Sequence, residues 1–301
     1  MIPIVLFTYN RPNTLLKTLE CLQRNRVPLI YVFSDGPKNE EDSEKVSDVR
    51  EIIRKIDWCT IVITERNENF GLGVSIKRGV TEVLQKHDSV IVFEDDLICV
   101  DGCYDYLSAA LKHYASDRRV MSVTGWTHPL VIPDDVIDQP YFDGRAESWT
   151  WGTWVRAWKG MDFDALSLIE MCKKKGIDEY LYGADIVEQA KVELRSNIWA
   201  VRFLYWHVLN GGLCLRPPWS MVEHIGVGGD GTNVLDNGIL QNPPLIGCPT
   251  IPNIWPDPVE NQNCSRLWQK VYGHKPSLSG GAYMKAKRLA KMILQKLGLR
   301  R

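Results

Sequence analysis

The chain has 301 residues, a length that suits one large α/β domain or a core domain with an appendage. Its composition, 45% hydrophobic and 24% charged, is that of a globular protein with enough apolar surface for a core. The formal net charge of −1 excludes a global field that would recruit nucleic acid or an acidic polymer, so any electrostatic work is local.

No stretch of the sequence reaches the roughly 18–20 apolar residues that span a bilayer. No Lys or Arg occurs before the apolar run in residues 1–7, and the polar Thr8 follows this run directly. This pattern predicts a buried strand and not a signal peptide. Cys99 and Cys103 resemble half of a metal site, but no second Cys or His pair stands at zinc-site spacing. We therefore expect a cytoplasmic protein with reduced thiols.

The first 125 residues alternate short apolar runs with helical patterns. The apolar runs are rich in β-branched residues, which predicts strands at residues 2–7, 29–33, 60–63, 90–93 and 120–123. Apolar spacing and turn signals predict helices at residues 13–24, 40–56, 72–85 and 104–114. Repeated strand–helix–strand units predict an α/β fold with a mostly parallel central sheet flanked by helices on both faces.

The pattern changes after residue 125. Residues 126–235 are richer in Trp and Gly and less periodic, and residues 236–262 are rich in Asn and Pro, which is typical of irregular chain. Residues 284–301 form a basic tail in which Lys and Arg alternate with apolar residues. That tail is either a solvated helix or an amphipathic helix lying on an anionic membrane surface.

Three consecutive carboxylates, Glu94, Asp95 and Asp96, follow the apolar run at residues 90–93. In open parallel sheets, ligands gather outside the carboxyl ends of the strands. Adjacent acids in a partly dry cleft repel one another and need a counter-charge. A divalent cation such as Mn²⁺ or Mg²⁺ supplies it and can also bind a departing diphosphate. The alternative is an exposed acidic turn at the start of a helix.

Asp35 has a matching position, because it follows the apolar run at residues 29–33 after a single Ser. At the exit of a strand, this carboxylate can accept hydrogen bonds from a ribose or a base. The alternative is an ordinary turn Asp before Gly36 and Pro37.

Four motifs occur in order: IVLFTYNRP at 4–12, SDG at 34–36, NFGLG at 69–73 and EDD at 94–96. Together they resemble GT-A-fold glycosyltransferases of the large inverting family 2 type, with the EDD variant of the DxD motif. They are also similar to N-acetylglucosaminyltransferase I. A likeness to one bacterial group continues through three more motifs, SWTWGTW at 148–154, NIWAVR at 197–202 and IG…GT at 225–232.

This resemblance implies a GT-A fold, which is Rossmann-like, and an inverting transfer of a sugar from a nucleotide-sugar, with UDP-sugars favoured. The implied acceptor is a saccharide or a lipid-linked saccharide, used in the synthesis of a surface polysaccharide. The resemblance assigns Thr8 and Arg11 to the wall of the nucleotide site and Asp35 to the base or ribose. Three further positions near the donor are Arg66, Gly71 and Lys77.

In the same resemblance, Asp96 is the direct ligand of the metal ion, Mn²⁺ or Mg²⁺. Asp95 contacts the metal or the donor sugar, and Glu94 supports both. GT-A enzymes often supply a third metal ligand from a late His, and relatives of the bacterial group end the motif at 225–232 in GTH, whereas this chain has Asn233. His224 is the candidate replacement, although a lone His is more often structural.

Tryptophan is unusually dense in and just after the SWTWGTW motif. Indole rings stack on sugar faces, and Gly152 permits close approach of the backbone to a ligand. The resemblance puts this segment beside the acceptor, so Trp149, Trp151 and Gly152 are the candidate acceptor residues. The alternative is packing, because Trp151, Trp154 and Trp158 have the i, i+3, i+7 spacing of a buried helix face.

An inverting transferase needs a carboxylate that takes the proton from the acceptor hydroxyl. The family places this acid after the glycine-containing loop, near the start of a helix. The matching stretch of this chain carries Asn197, whose amide cannot act as a base. Glu193, Asp185 and Glu147 are the candidates, and the sequence does not choose among them.

The resemblance divides the chain into a GT-A catalytic domain at 1–235 and a C-terminal extension at 236–301. Within the catalytic domain, residues 1–125 form the nucleotide-sugar-binding half and residues 126–235 the acceptor half. The Gly-rich run at 226–231 is expected to close over the donor phosphates. The basic tail would hold the enzyme at the inner membrane face if the acceptor is lipid-linked.

Two other functions remain open from the sequence. A sugar-phosphate nucleotidyltransferase would need a Gly-rich, basic loop directly after the first strand, where this chain reads TYNRP at 8–12. A carbohydrate- or nucleotide-binding protein with a degenerate site also remains open, because the catalytic base is not assigned.

Overall fold

A computed structural model describes residues 1–226, 245 and 247–274 of the chain. Up to residue 124 its elements are β1 (Ile4–Thr8), α1 (Pro12–Arg24), β2 (Leu29–Ser34), α2 (Glu40–Arg54), β3 (Thr60–Glu65), α3 (Leu72–Leu84), β4 (Ser89–Glu94), β5 (Leu97–Cys99), α4 (Cys103–His113) and β6 (Val120–Thr124). Every strand and helix predicted in this part forms close to its predicted position. The short strand β5 is an addition that the apolar pattern does not predict.

The remaining elements are β7 (Tyr141–Asp143), β8 (Trp151–Trp154), α5 (Val155–Trp158), a 3₁₀ turn (Lys159–Asp162), α6 (Ala165–Lys174), α7 (Asp185–Ser196), α8 (Ala200–Asn210), β9 (Leu213–Arg216), β10 (Val222–His224) and α9 (Cys264–Tyr272). Within the described residues, no helix is long and apolar enough to cross a membrane. The basic tail and most of the run at 226–231 lie outside the described residues.

Eight strands of the described chain form one sheet in the order β3-β2-β1-β4-β8-β6-β9-β7. The first four run parallel, and β8 lies antiparallel between β4 and β6. Strand β9 is parallel to β6, and β7 is antiparallel to β9. The prediction of an α/β fold with a mostly parallel sheet flanked by helices is confirmed. Strands from both predicted halves belong to this one sheet, whereas the domain boundaries stay a prediction.

The central parallel strands β1, β2 and β4 are apolar over most of their length because both faces of the sheet are covered there. On β1, Ile4 and Leu6 belong to one buried cluster, with residues of α1, α2 and α4. Val5 and Phe7 belong to the other, with residues of α3, α6, α7 and α8. Burying one such side chain contributes roughly 1.5–3 kcal/mol, so this double burial keeps the strand register fixed.

The helix starts determine where the loops lie at the carboxyl edge of the sheet. Pro12 occupies the start of α1, so only residues 9–11 separate this helix from β1. Asn39 is the N-cap of α2, and its side-chain oxygen accepts the backbone N–H of Asp42 at 3.0 Å. Asp42 in turn accepts the hydroxyl of Tyr9 at 2.6 Å, which ties the loop after β1 to α2.

The described part of the C-terminal extension packs on the β7–β9 edge of the sheet. Trp268 of α9 donates its indole N–H to Asp143 at 2.8 Å, and Arg216 of β9 donates to the same carboxylate at 2.8 Å. Asp143 and Arg216 are fully buried. Removing one partner from such a buried ion pair costs about 3–5 kcal/mol. Because Trp268 of α9 hydrogen-bonds to this pair, α9 is part of the folded core.

The Trp-rich motif forms a strand, and the helical spacing predicted for its tryptophans is wrong in part. Trp151 and Trp154 begin and end β8, and their side chains belong to opposite core clusters. A separation of three residues puts two side chains on one face of a helix but on opposite faces of a strand. Only Trp158 lies in the short helix α5 that follows.

Gly152 of β8 pairs with Ile91 on one side and Val123 on the other. A Cβ atom at Gly152 would lie 2.8 Å from Cδ1 of Leu111 and 3.1 Å from the carbonyl oxygen of Val90. We therefore expect Gly152→Ala to lower the free energy of unfolding by about 1–3 kcal/mol through overpacking, as measured by chemical denaturation.

The matched control is Gly247→Ala, because a Cβ there has no neighbour within 4 Å among the residues that the structure describes. Equal stability of the two variants would mean that Gly152 is not needed for sheet packing.

Candidate functional site

The carboxyl ends of β2, β1 and β4 lie side by side, since β1 pairs with both neighbours. This edge of the sheet brings the predicted residues of four motifs to one cavity of about 390 Å³. The predicted residues that line it are Thr8, Arg11, Asp35, Gly71, Glu94 and Asp95. The lining also includes residues that the sequence did not single out for the site, namely Tyr9, Lys38, Asn69, Phe70, Arg195 and Ser196.

Asp95 and Asp96 share one counter-charge, the guanidinium of Arg11. Nη2 of Arg11 lies 2.9 Å from Oδ1 of Asp95, and Nη1 donates to Oδ2 of Asp96. The other oxygen of Asp95 accepts the backbone N–H of Tyr9 at 3.0 Å. Both carboxylates are buried, with exposed fractions of 2% and 3%. The sequence predicts that a metal ion balances the charge of these acids, whereas in the structure Arg11 supplies part of the positive charge.

The three acids of the triplet have different pKa values because their surroundings differ. Burial and the charges of its neighbours raise the pKa of Glu94 to about 8, despite the opposing effect of Arg11. Burial likewise raises the pKa of Asp95 to about 6. Burial also acts on Asp96, but a hydrogen bond from His224 and the charge of Arg11 outweigh it, and the pKa of Asp96 is lowered.

His224 lies beside Asp96, as its predicted role requires. Strand β10 pairs antiparallel with β5, the strand that follows the triplet, and this pairing puts Nε2 of His224 3.2 Å from Oδ2 of Asp96. The half-buried ring of Trp149 stacks on the imidazole with 4.7 Å between ring centroids. A Cβ at Gly226 would lie 2.5 Å from the same Asp96 oxygen, so glycine lets the backbone cover the Arg11–Asp96 pair.

Asp35 organises the opposite wall of the cavity. Its carboxylate accepts the backbone N–H groups of Gly36 at 3.1 Å, Phe70 at 3.0 Å and Gly71 at 2.9 Å. These bonds hold the NFGLG loop at the start of α3. The side chain is buried, so its first task is to shape the wall.

The hydroxyl of Thr8 is a polar group in the wall of the cavity. Its Oγ1 is buried and has no hydrogen-bond partner among the described residues, although Thr8 lines the cavity. An unsatisfied buried polar group costs roughly 1–3 kcal/mol, which a bound ligand with polar atoms would recover.

Arg66 and Lys77, predicted near the donor, do not line the cavity. Arg66 hydrogen-bonds to Ser75 of α3, and its guanidinium stacks on the ring of Phe70 at 4.9 Å. It therefore supports the NFGLG loop from behind. Lys77 of α3 lies 3.5 Å from an exposed carboxylate, that of Asp162.

Asn197 faces the NFGLG loop from the end of α7. It adopts the left-handed conformation with φ of 54°, which ends that helix. A Cβ at Gly71 would lie 2.3 Å from Nδ2 of Asn197, and a Cβ at Gly73 would lie 2.5 Å from its Oδ1. The two glycines therefore permit a close approach that brings the end of α7, with Arg195, to the cavity. Local sequence patterns do not predict this contact, because it joins elements that are distant in the chain.

The candidate acceptor residues separate in the structure. Trp149 lies beside His224, next to the triplet. Trp151 is 1% exposed and packs on Trp158, Trp199 and Phe203, with ring centroids 4.9–5.4 Å apart. Gly152 lies inside the sheet. Burial favours a packing role for Trp151 and Gly152, whereas Trp149 is close to the site.

The candidate bases are all engaged in ion pairs. Glu193, 3% exposed, hydrogen-bonds to Arg202 and accepts the backbone N–H of Ala165 at 2.9 Å. Asp185 forms a two-point pair with Arg145 at 2.7 and 3.0 Å. These two pairs join secondary-structure elements, which favours structural roles.

Glu147 lies on the loop that carries Trp149. One of its oxygens accepts the backbone N–H of Ser148 at 2.8 Å, and the other lies 3.4 Å from Nη1 of Arg216. The assignment of the base stays a prediction for all three acids.

Among the described residues, no group of three or more His, Cys, Asp or Glu side chains is arranged to hold a metal ion. One feature nevertheless suits a cation, because Oδ1 of Asp96 is buried without a hydrogen-bond partner in the described part of the chain. Its neighbours are a second carboxylate and an imidazole, which are groups that Mn²⁺ accepts as ligands. These residue types suit a divalent cation, which would have to share the two carboxylates with Arg11.

No protein-family profile and no curated sequence matches the chain. Among solved structures, one partial match is the mannosyltransferase PcManGT from Pyrobaculum calidifontis in complex with GDP-Man and Mn²⁺, at 17% identity and a TM-score of 0.33. It covers 42% of this chain and 36% of that one. Another is HddC from Yersinia pseudotuberculosis, at 16% identity and a TM-score of 0.29, covering 41% and 57%. Matches of this extent carry no inference about activity.

The raised pKa of Glu94 makes stability depend on pH. The unfolded chain loses this proton near pH 4.5 and the folded protein only near pH 8, so stability falls as the pH rises through that window. The substituted side chain in Glu94→Gln stays neutral at both pH values. We expect the free energy of unfolding of this variant to exceed that of wild type by on the order of 2 kcal/mol at pH 9. At pH 4 the two proteins should be equally stable.

Denaturation in EDTA at both pH values measures this difference, and the exposed Glu20→Gln is the control. A gain at pH 4 as large as that at pH 9 would contradict the assigned pKa.

The bonds of Asp35 lead to a separate prediction. Asp35→Asn turns one acceptor into an N–H donor that faces backbone N–H groups, so we expect a loss of about 1–3 kcal/mol in the free energy of unfolding. Amide exchange at Phe70 and Gly71 should also accelerate.

Asp105→Asn, on the exposed side of α4, is the matched control. Unchanged exchange at both amides would show that Asp35 does not hold the NFGLG loop.

Proposed function

We propose that the protein is a metal-dependent glycosyltransferase. It transfers a sugar, with inversion, from a nucleotide-sugar, most favourably a UDP-sugar, to a saccharide or lipid-linked acceptor in the synthesis of a surface polysaccharide. The observation that carries this proposal is the cavity at the carboxyl ends of β1, β2 and β4, which Thr8, Arg11, Asp35 and Asp95 line together. The resemblance of the ordered sequence motifs supports it, since residues of separate motifs meet in this one cavity.

Arg11 is the residue best suited to the donor diphosphate. Its guanidinium lines the cavity and is 16% exposed, so an incoming phosphate can reach it. Guanidinium groups bind phosphates through paired hydrogen bonds, which fixes orientation as well as charge. The hydroxyl of Thr8, which has no hydrogen-bond partner in the described part of the chain, would add a polar contact on the same wall. Asp35 holds the loop opposite and leaves the nucleoside a preformed wall.

Asp96 would hold the divalent cation through Oδ1, which has no hydrogen-bond partner among the described residues, with Asp95 and His224 as neighbours. The cation, when bound, supplies Lewis-acid stabilisation of the departing nucleoside diphosphate. The protein's own contribution is to bury these carboxylates, because electrostatic interactions are stronger where water is excluded.

The acceptor side is proposed to begin at Trp149, whose indole contacts the imidazole next to Asp96. Apolar sugar faces stack on such rings. Glu147 is the candidate base on the same loop, and its ion pair with Arg216 orients it. A base at this place would take the proton of the attacking hydroxyl.

Titration calorimetry with UDP in the presence of Mn²⁺ tests the donor site. We expect wild type to bind and Asp96→Asn to bind at least about tenfold more weakly, because losing even an outer partner of a metal ligand costs 10–100-fold. Asp105→Asn is the matched surface control. Equal affinities for wild type and Asp96→Asn would remove the metal-bridged mechanism.

A panel of nucleotide-sugars, scored by thermal shift with and without Mn²⁺, would identify the donor. Slow release of UDP from that donor in the absence of acceptor would favour an enzyme over a binding protein. A stabilising donor that is never cleaved, with any saccharide acceptor offered, would favour the binding protein.

A further inference from the structure

The place between Asp95 and Asp96 is already filled by a positive charge of the protein itself. Arg11 contacts one oxygen of each carboxylate, at 2.9 Å for Asp95 and in a shorter contact for Asp96. The second oxygen of Asp95 accepts the N–H of Tyr9, and His224 lies 3.2 Å from the Asp96 oxygen that Arg11 contacts. Of the four oxygens, only Oδ1 of Asp96 has no hydrogen-bond partner in the described part of the chain.

This arrangement opposes a divalent cation that arrives alone. A cation at Oδ1 of Asp96 would stand next to the guanidinium of Arg11, and like charges at such a separation repel strongly in a partly buried site. It would also gain only part of the carboxylate charge, because the single positive charge of Arg11 already offsets part of the charge of the two acids.

A bound diphosphate would reduce both the repulsion between Arg11 and the cation and the masking of the carboxylates by Arg11. Its charges attract the guanidinium, which binds phosphate oxygens as readily as carboxylate oxygens. As Arg11 turns from the carboxylates to the phosphates, the carboxylates become available to the cation, and the phosphates add oxygen ligands of their own. The cation and the diphosphate therefore help each other to bind.

We propose that Arg11 couples the two ligands of the site. In the free protein it masks Asp95 and Asp96 and keeps their affinity for a divalent cation low, and a nucleoside diphosphate releases them. This inference rests on the proposed donor site and adds how that site is regulated. Because coupling between two ligands is reciprocal, the cation must raise the affinity for the diphosphate by the same factor, typically about 5–150-fold.

The test compares Mn²⁺ binding to four metal-free proteins without nucleotide, followed by electron paramagnetic resonance of free Mn²⁺. The proteins are wild type, Arg11→Gln, Arg11→Lys and the control Arg24→Gln, which alters an exposed pair with Asp101. We expect Arg11→Gln to bind Mn²⁺ at least about tenfold more tightly than wild type, because it loses the masking charge. Arg11→Lys keeps a positive charge and should stay within about threefold of wild type.

A second measurement gives the coupling itself. The affinity for UDP is determined with and without Mn²⁺, after correction for Mn²⁺–UDP association in the same buffer. Wild type should show the coupling factor, and Arg11→Gln should show a much smaller one. Thermal unfolding verifies that each variant is folded, and the wild-type measurements stand even if Arg11→Gln is not.

The outcomes separate the two proposals. If wild type binds Mn²⁺ equally well with and without UDP, the coupling by Arg11 is overturned and the donor site stands. The coupling is also overturned if a folded Arg11→Gln variant gains no affinity for Mn²⁺. If no protein binds UDP or any nucleotide-sugar of the donor panel under any condition, the proposed function itself fails.

Discussion

The ion pair of Arg11 with Asp95 and Asp96 is the interaction on which the arrangement of the site depends. Two adjacent carboxylates are buried at the end of the central strand β4, and such a placement is unstable without a positive charge close by. Arg11 reaches them because only residues 9–11 separate β1 from α1. Strand β10 then brings His224 to the same carboxylate, and glycine at position 226 lets the backbone cover it. Elements that are distant in sequence therefore meet around this pair of buried carboxylates.

The buried acids of this protein do different work because their partners differ. Asp35 accepts backbone N–H groups and therefore shapes a loop. Asp95 and Asp96 are paired with the guanidinium of Arg11, a side chain that also lines the cavity. Glu193 and Asp185 are held in ion pairs that join helices and loops, which makes them parts of the framework. The partner of a carboxylate, more than its burial, indicates what it can do chemically.

The fold was largely predictable from local sequence. Short apolar runs on β1, β2 and β4 have no polar face, and this requires helices on both sides of a parallel sheet. The same reasoning failed for the Trp-rich motif, where the spacing of Trp151 and Trp154 suggested a helix face although both lie in β8. Tryptophans three residues apart can be buried in either structure when both faces of a strand are covered. Only the pairing of β8 between β4 and β6 decides between the two.

The sequence by itself determined the α/β architecture and the accumulation of Thr8, Asp35 and the acidic triplet at one edge of the sheet. It did so because parallel strands end at the same edge, so residues after each strand must meet. Tertiary structure alone decided that Arg11 neutralises the acids, and that the end of α7 closes the cavity through Asn197. These contacts join residues that are 85 apart (Arg11 and Asp96) and 126 apart (Gly71 and Asn197) in the numbering, and local sequence patterns do not record such pairings.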